Sequence, residues 1–226
     1  MKTLDSSKNC YKPSRLADTL KQETWHLHKA AETTGVIKTI IHKSVTLEEY
    51  ILFISNLLPI YEALECSADW KKSFIGLEQF INPSVHRSEA LRSDLRKLHA
   101  LTGVEGPFPI LKATRDYCSH INDAQLRSPE TMLAHTYVRY LGDLNGGQLL
   151  QLLLRQSLGL ADSCLSFYTF DEIENIRVFT KEFRTYLNNV SLSANALVTS
   201  IDAAKFAFHF NIALSQSVSA YKTDCN

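Results

Sequence analysis

Apolar residues recur every three or four positions along almost the whole chain, the spacing of one face of an α-helix, and strand-like alternation is nowhere sustained. Only 8 glycines and 6 prolines interrupt this pattern in 226 residues, so the expected elements are long and the connections short. The expected fold class is all-α. It is a single-domain helical bundle over residues 14–222, with a flexible N-terminal segment at 1–13 and a tail at 223–226. A chain of this length buries about 70 to 75% of the surface it exposes when unfolded, and it needs no covalent staple.

The first helix is expected to begin after Pro13, with Ser14 as its N-cap, and to stop near Gly35. Thr46 and Glu49 have the spacing of a capping box, and Val45 and Tyr50 that of a hydrophobic staple, so a second helix starts there. Pro59 falls inside it and should bend it just before Tyr61. Further helical patterns run from Ala68 to Phe80, Ser84 to Leu101, and Ile110 to Leu126. Ser128 and Pro129 open a long apolar helix. Patterns from Asp171 to Asn188 and from Ser193 to Tyr221 complete the bundle.

Charge changes this picture little. Lys+Arg and Asp+Glu are both 24, which argues against nucleic acid as a partner. The five cysteines, Cys10, Cys66, Cys118, Cys164 and Cys225, form no metal-binding pair and read as free thiols of a reducing compartment. The N-terminus lacks a secretory apolar run, and no stretch of about 18 apolar residues could span a membrane. The expectation is a cytoplasmic monomer.

Two places carry candidate chemistry. On the first helix Leu16, Leu20, Leu27 and Ala31 form the apolar stripe, and His28 lies at its edge in line with Lys21, Thr24 and Glu32. His26 points to nearly the opposite side, so only His28 can reach inward. It is either an ordinary boundary histidine or a single axial ligand to a flat cofactor. The HExxH of a zinc helix and the paired ExxH of a di-iron bundle are both absent.

The second place is "YVRYLGDLNGGQ", Tyr137 to Gln148, where three glycines stand in an apolar helix although each costs about 1 kcal/mol relative to alanine. Gly142 and Gly146 stack one turn apart, and Gly147 is expected to widen the gap, so that a ligand could press on the backbone. Close helix packing and a simple kink are the alternatives. Asp143, one turn after Arg139 and amid leucines, reads either as a proton-handling group or as half of a buried ion pair.

The two motifs together resemble the haem oxygenases. "LADTLKQETWHLHKAAE" is similar to that family's proximal helix and "HTYVRYLGDLNGGQLL" to its distal helix. "YTFDEIENIRVFTKEFR" and "AKFAFHFNI" match later segments in the same order, so the likeness runs from Leu16 to Ile212. Asn145 stands where serine is usual, Val138 where threonine is usual, and Thr180 where some relatives have a lysine, with Lys181 adjacent.

The resemblance implies haem sandwiched between the first helix and a glycine-kinked distal helix, as cofactor and substrate together. His28 would ligate the iron and Glu32 would follow it. Gly142, Gly146 and Gly147 would admit the porphyrin, and Phe208 would line it. Lys21, Tyr137 and Arg184 would hold the propionates. Asp143, through ordered water shared with Tyr61, Arg139 and Asn211, would deliver a proton to O2 reduced on the iron. The implied products are biliverdin IXα, cut at the α-meso carbon, ferrous iron and carbon monoxide. The chain has neither GxGxxG nor an iron–sulfur cysteine run, so a separate ferredoxin or flavin reductase would donate the electrons. A carrier or sensor that holds haem without cutting it is the rival reading. A helical interaction module without cofactor would leave the glycines and Asp143 unexplained.

Overall fold

The computed structural model describes residues 15–66, 69–103 and 108–221. Eight α-helices occur among them: α1 (Leu16–Glu32), α2 (Gly35–Ile41), α3 (Leu47–Glu65), α4 (Ser88–Thr102), α5 (Lys112–Arg127), α6 (Pro129–Leu158), α7 (Ile176–Asn189) and α8 (Ala194–Ala220). No strand occurs in the described residues, so the class is all-α.

Local side-chain caps set four of the eight helix starts. Glu49 N donates to Thr46 Oγ1 at 3.2 Å and Thr46 N to Glu49 Oε2 at 3.0 Å, closing the capping box of α3. Val45 and Tyr50 beside it are both buried. Ser128, Asn175 and Ser193 accept backbone N–H groups at the starts of α6, α7 and α8, relieving donors that no helical carbonyl can reach. Pro59 lies inside α3, which stays helical through Glu65.

Four sequence expectations are corrected. Residues 69–80 are not an α-helix but short 3-10 turns at Asp69–Ser73 and Leu77–Gln79, separated by Gly76 at φ 86°. Gly35 does not end α1; it opens α2 at φ 54°, where a Cβ would lie 2.2 Å from the Ser215 carbonyl of α8. The third concerns α4, which starts at Ser88 and not Ser84. Its cap comes from outside the helix: Glu65, at the end of α3, accepts the N–H groups of Arg87 at 2.6 Å and Ser88 at 3.2 Å. Likewise α7 begins at Ile176, after the turn that ends in its cap Asn175. Ser14, the expected cap of α1, is outside the described residues, as is Ala68.

The core runs through α3, whose Tyr50, Ile51, Ile54, Leu57, Ile60 and Tyr61 are essentially inaccessible. Full burial of an apolar side chain of this size is worth about 1.5–3 kcal/mol. Helix α8 packs against α1, α2, α3, α5 and α6. Helices α1 and α6 both lean on α8, yet direct packing between them is sparse. That leaves a slot.

Candidate active site

The slot has an outer and an inner part. The outer hollow, about 390 Å³, is bounded by Lys21, Trp25, His28 and Glu32 of α1, by Tyr137, Leu141, Gly142, Asn145, Gly146 and Leu149 of α6, by Arg184 of α7 and by Phe208 of α8. The inner hollow, about 180 Å³, shares His28, Glu32, Val138, Gly142 and Phe208 with it and reaches Phe53, Leu57, Arg139, Asp143 and Asn211. A polar hollow of about 440 Å³ on the α7 side of α6, around Gln148 and Arg177, contains none of the α1 residues.

Glu32 Oε1 lies 3.5 Å from His28 Nδ1. Phe208 meets the imidazole edge-on at 6.0 Å, and Trp25 stacks on it at 5.7 Å. With Nδ1 turned to a carboxylate, Nε2 is the nitrogen left to bind in the slot. His28 is 47% exposed on its side chain, as a surface histidine would be, but it stands on the wall that faces the glycines.

A Cβ added at Gly142 or Gly146 would meet nothing within 4 Å. The bare backbone there therefore faces open space, which removes close helix packing as the reason for these two glycines. Gly147 departs from expectation. Its Cβ would point away from the slot and meet Tyr168 Cδ1 at 3.4 Å, so it does not widen the opening. Helix-helix geometry gives the reason: one residue past Gly146 is about 100° around the axis.

Behind the glycines lies a polar network in an apolar setting. The Tyr61 hydroxyl donates to Asp143 Oδ2. The Tyr61 hydroxyl oxygen in turn accepts from Arg139 Nη2 at 2.7 Å and Nε at 3.2 Å, and Arg139 Nη1 donates to Asn211 Oδ1 at 2.6 Å. Tyr61 thus joins the carboxylate to the guanidinium, where the resemblance had implied shared water. Burial pushes the Asp143 carboxyl above the usual carboxylate range, against the opposing pull of Arg139 and of the Tyr61 hydrogen bond. Burial likewise raises Tyr61 well above the usual phenol range. A carboxyl with raised proton affinity, tied to a donor chain and facing a cavity, can hold a proton at that cavity.

The remaining predicted residues divide. Lys21 and Arg184 face the outer hollow. Tyr137 does as well, but its hydroxyl donates to the Ala17 carbonyl at 3.3 Å. Asn145 folds its amide back onto the Leu141 carbonyl at 2.5 Å. Thr180 is buried and bonds to the Arg177 carbonyl at 3.2 Å, while Lys181 is exposed and outside the slot lining. Trp25, which the sequence reading left unused, lines the slot. His135 of α6, outside the slot lining and not singled out from the sequence, is fully buried, 3.3 Å from the Tyr117 hydroxyl, and pushed down to about 3 by burial. Its place on the buried face two turns before Asp143 was the available signal.

A helical bundle with a slot that has a histidine on one wall and bare backbone on the other has the form of proteins built to grip a flat ring. The comparisons narrow that class. A family model described as heme oxygenase matches residues 14–217. A heme oxygenase of Porphyra purpurea is 29% identical over 92% of this chain and 88% of its own length. The solved structure of heme oxygenase from Leptospira interrogans superposes with TM-score 0.81 at 29% identity, covering 90% of this chain and 99% of that one. Heme oxygenase-1 of Synechocystis sp. PCC6803, solved in complex with heme, superposes with TM-score 0.80 at 27% identity, covering 90% and 91% of the two chains. This chain belongs to the heme oxygenase family, and its activity is that of a haem oxygenase. No helix among the described residues is long and apolar enough to cross a membrane.

Proposed function

We propose that this protein binds haem between α1 and α6 with His28 as the iron ligand, and cuts it at the α-meso carbon to biliverdin IXα, ferrous iron and carbon monoxide. The residues present fit a flat iron porphyrin: a free imidazole nitrogen on one wall, side-chain-free backbone opposite, and Lys21 and Arg184 at one end. Haem supplies the iron at which O2 is reduced and the ring that is cut. Electrons come from an external ferredoxin or flavin reductase.

Each group on the walls has a task. Glu32, with Oε1 3.5 Å from His28 Nδ1, is placed to favour a proton on that nitrogen and so the tautomer that presents Nε2. Gly142 and Gly146 let the α6 backbone approach the ring while offering no competing ligand. Asp143 holds a proton at the inner hollow, and Tyr61, Arg139 and Asn211 keep its carboxyl oriented. Arg184 can engage a propionate with two parallel hydrogen bonds, and Lys21 adds a point charge, which together fix the rotation of the ring. Phe208 supplies apolar wall. Free Cys66, Cys118 and Cys164 fit a reducing cytoplasm.

The observation that carries the enzyme over the carrier is the Tyr61–Asp143–Arg139 network, because a protein that only holds haem has no use for a buried proton-holding carboxyl beside it. Separation of the bilin isomers formed with hemin, O2 and a reductant tests the reading. The α isomer is expected to predominate, and the Lys21→Ala, Arg184→Ala double variant should redistribute the isomers. A predominance of β or δ isomer, or an indefinitely stable oxy complex, contradicts it.

A further inference from the structure

Although half-exposed, the His28 ring is held on several sides by its own helix. The Trp25 indole lies over it with planes 6° apart and centroids 5.7 Å apart. Lys29 Nζ stands 4.9 Å over the indole and pairs with Glu32 Oε2 at 2.8 Å. Glu32 Oε1 returns to His28 Nδ1 at 3.5 Å. Positions 25, 28, 29 and 32 are three or four apart, so the four side chains close a ring on one face of α1.

None of these contacts can do much for the fold, since exposed ion pairs and cation–π contacts are weak. The choice between side-chain rotamers turns on differences of that same small size. An aromatic plane laid parallel to the imidazole opposes its rotation about the Cβ–Cγ bond, which a hydrogen bond at one nitrogen does less well. Trp25 is also the α1 aromatic that lines the outer hollow.

We propose that Trp25 is a positioning residue for His28: its stacked indole, anchored through Lys29 and Glu32, fixes the plane of the imidazole and so the direction in which Nε2 meets the iron. The proposal rests on the reading of His28 as haem ligand. An axial imidazole overlaps different iron orbitals as its plane turns. A ring released from the stack therefore changes the spread of g-values in the ferric state and broadens the iron–histidine stretching band in the ferrous state.

The test uses the full chain with Trp25→Leu, Trp25→Phe and Lys29→Met. Nuclear magnetic resonance of the hemin-free protein should show the His28 ring-proton signals moving downfield in Trp25→Leu, as the ring current above them is lost. The hemin complex of that variant should show shifted g-values, a broadened stretching band and several-fold faster hemin dissociation. Trp25→Phe should restore a narrow band, and Lys29→Met should fall between. If the parent complex shows no histidine-ligated signature, the ligand reading falls and this proposal with it. If the signature is present but neither it nor the His28 ring signals change in Trp25→Leu, the positioning role alone is overturned.

Discussion

On the α1 wall of the slot, His28 and the three side chains that hold it come from eight consecutive positions of one helix, and 47% of its side chain remains exposed. On the α6 wall, Asp143 is reached by Tyr61 from 82 positions away, and Arg139 by Asn211 from 72. Apart from Phe208 of α8, which meets the ring edge-on, the first wall is assembled by helix periodicity. The second exists only once α3, α6 and α8 have packed. On the proposed roles, the ligand would stand on a partly wet, locally built support and the proton-holding group at a site desolvated by the whole fold.

Stability should show the contrast most strongly. Arg139→Met leaves the Tyr61 hydroxyl and Asn211 without their buried cation and is expected to cost about 3 kcal/mol in urea denaturation of the hemin-free protein. Lys29→Met on the other wall should cost less than about 1 kcal/mol. Equal losses would mean that the two walls are built alike.

Acid stability sharpens the same contrast, because the α6 side also buries His135. Its folded value near 3 is below the unfolded one of about 6.5, so the unfolded chain binds the extra proton between them. Stability is complete above that window and falls as pH drops through it, at about 1.4 kcal/mol per pH unit for this group. His135→Phe should flatten the slope by that amount between pH 6 and 4. An unchanged slope would show that this histidine is not held neutral.

The smallest effect separates the glycines. Gly142→Ala relieves a helix-interior glycine with nothing in the way, so the hemin-free protein should gain up to about 1 kcal/mol while hemin binds more weakly. Gly147→Ala should gain less because its Cβ meets Tyr168, and it should leave hemin affinity unchanged. Thermal denaturation and hemin titration of both variants decide the point.

What could be read from the sequence follows the same division. The capping box of α3, the Ser128–Pro129 start of α6 and the stripe placing His28 are all local patterns, and all stand in the structure as read. The 3-10 turns at 69–79 read as an α-helix and the short α2 is not legible at all, because a helical apolar spacing does not reveal a glycine at positive φ or a backbone that must pass close to α8. At the candidate site, the spacing of Gly142, Asp143 and Gly146 showed that something unusual was there. It could not show that Gly147 faces the other way onto Tyr168, or that Tyr61 meets Asp143 directly, since both depend on which element packs behind α6. The Trp25 stack was open to reading by its spacing of three from His28, but not its ring orientation.

The central claim is that the buried α6 network handles protons and does not hold the haem. Single-turnover reaction of hemin-loaded parent and Asp143→Ala with O2 and a reductant, followed through the haem band and the bilin band, tests it most directly. Both proteins should bind hemin with nearly equal affinity, the parent should convert it to biliverdin, and the variant should stall or divert without forming bilin. Bilin formation by Asp143→Ala at the parent rate would contradict it.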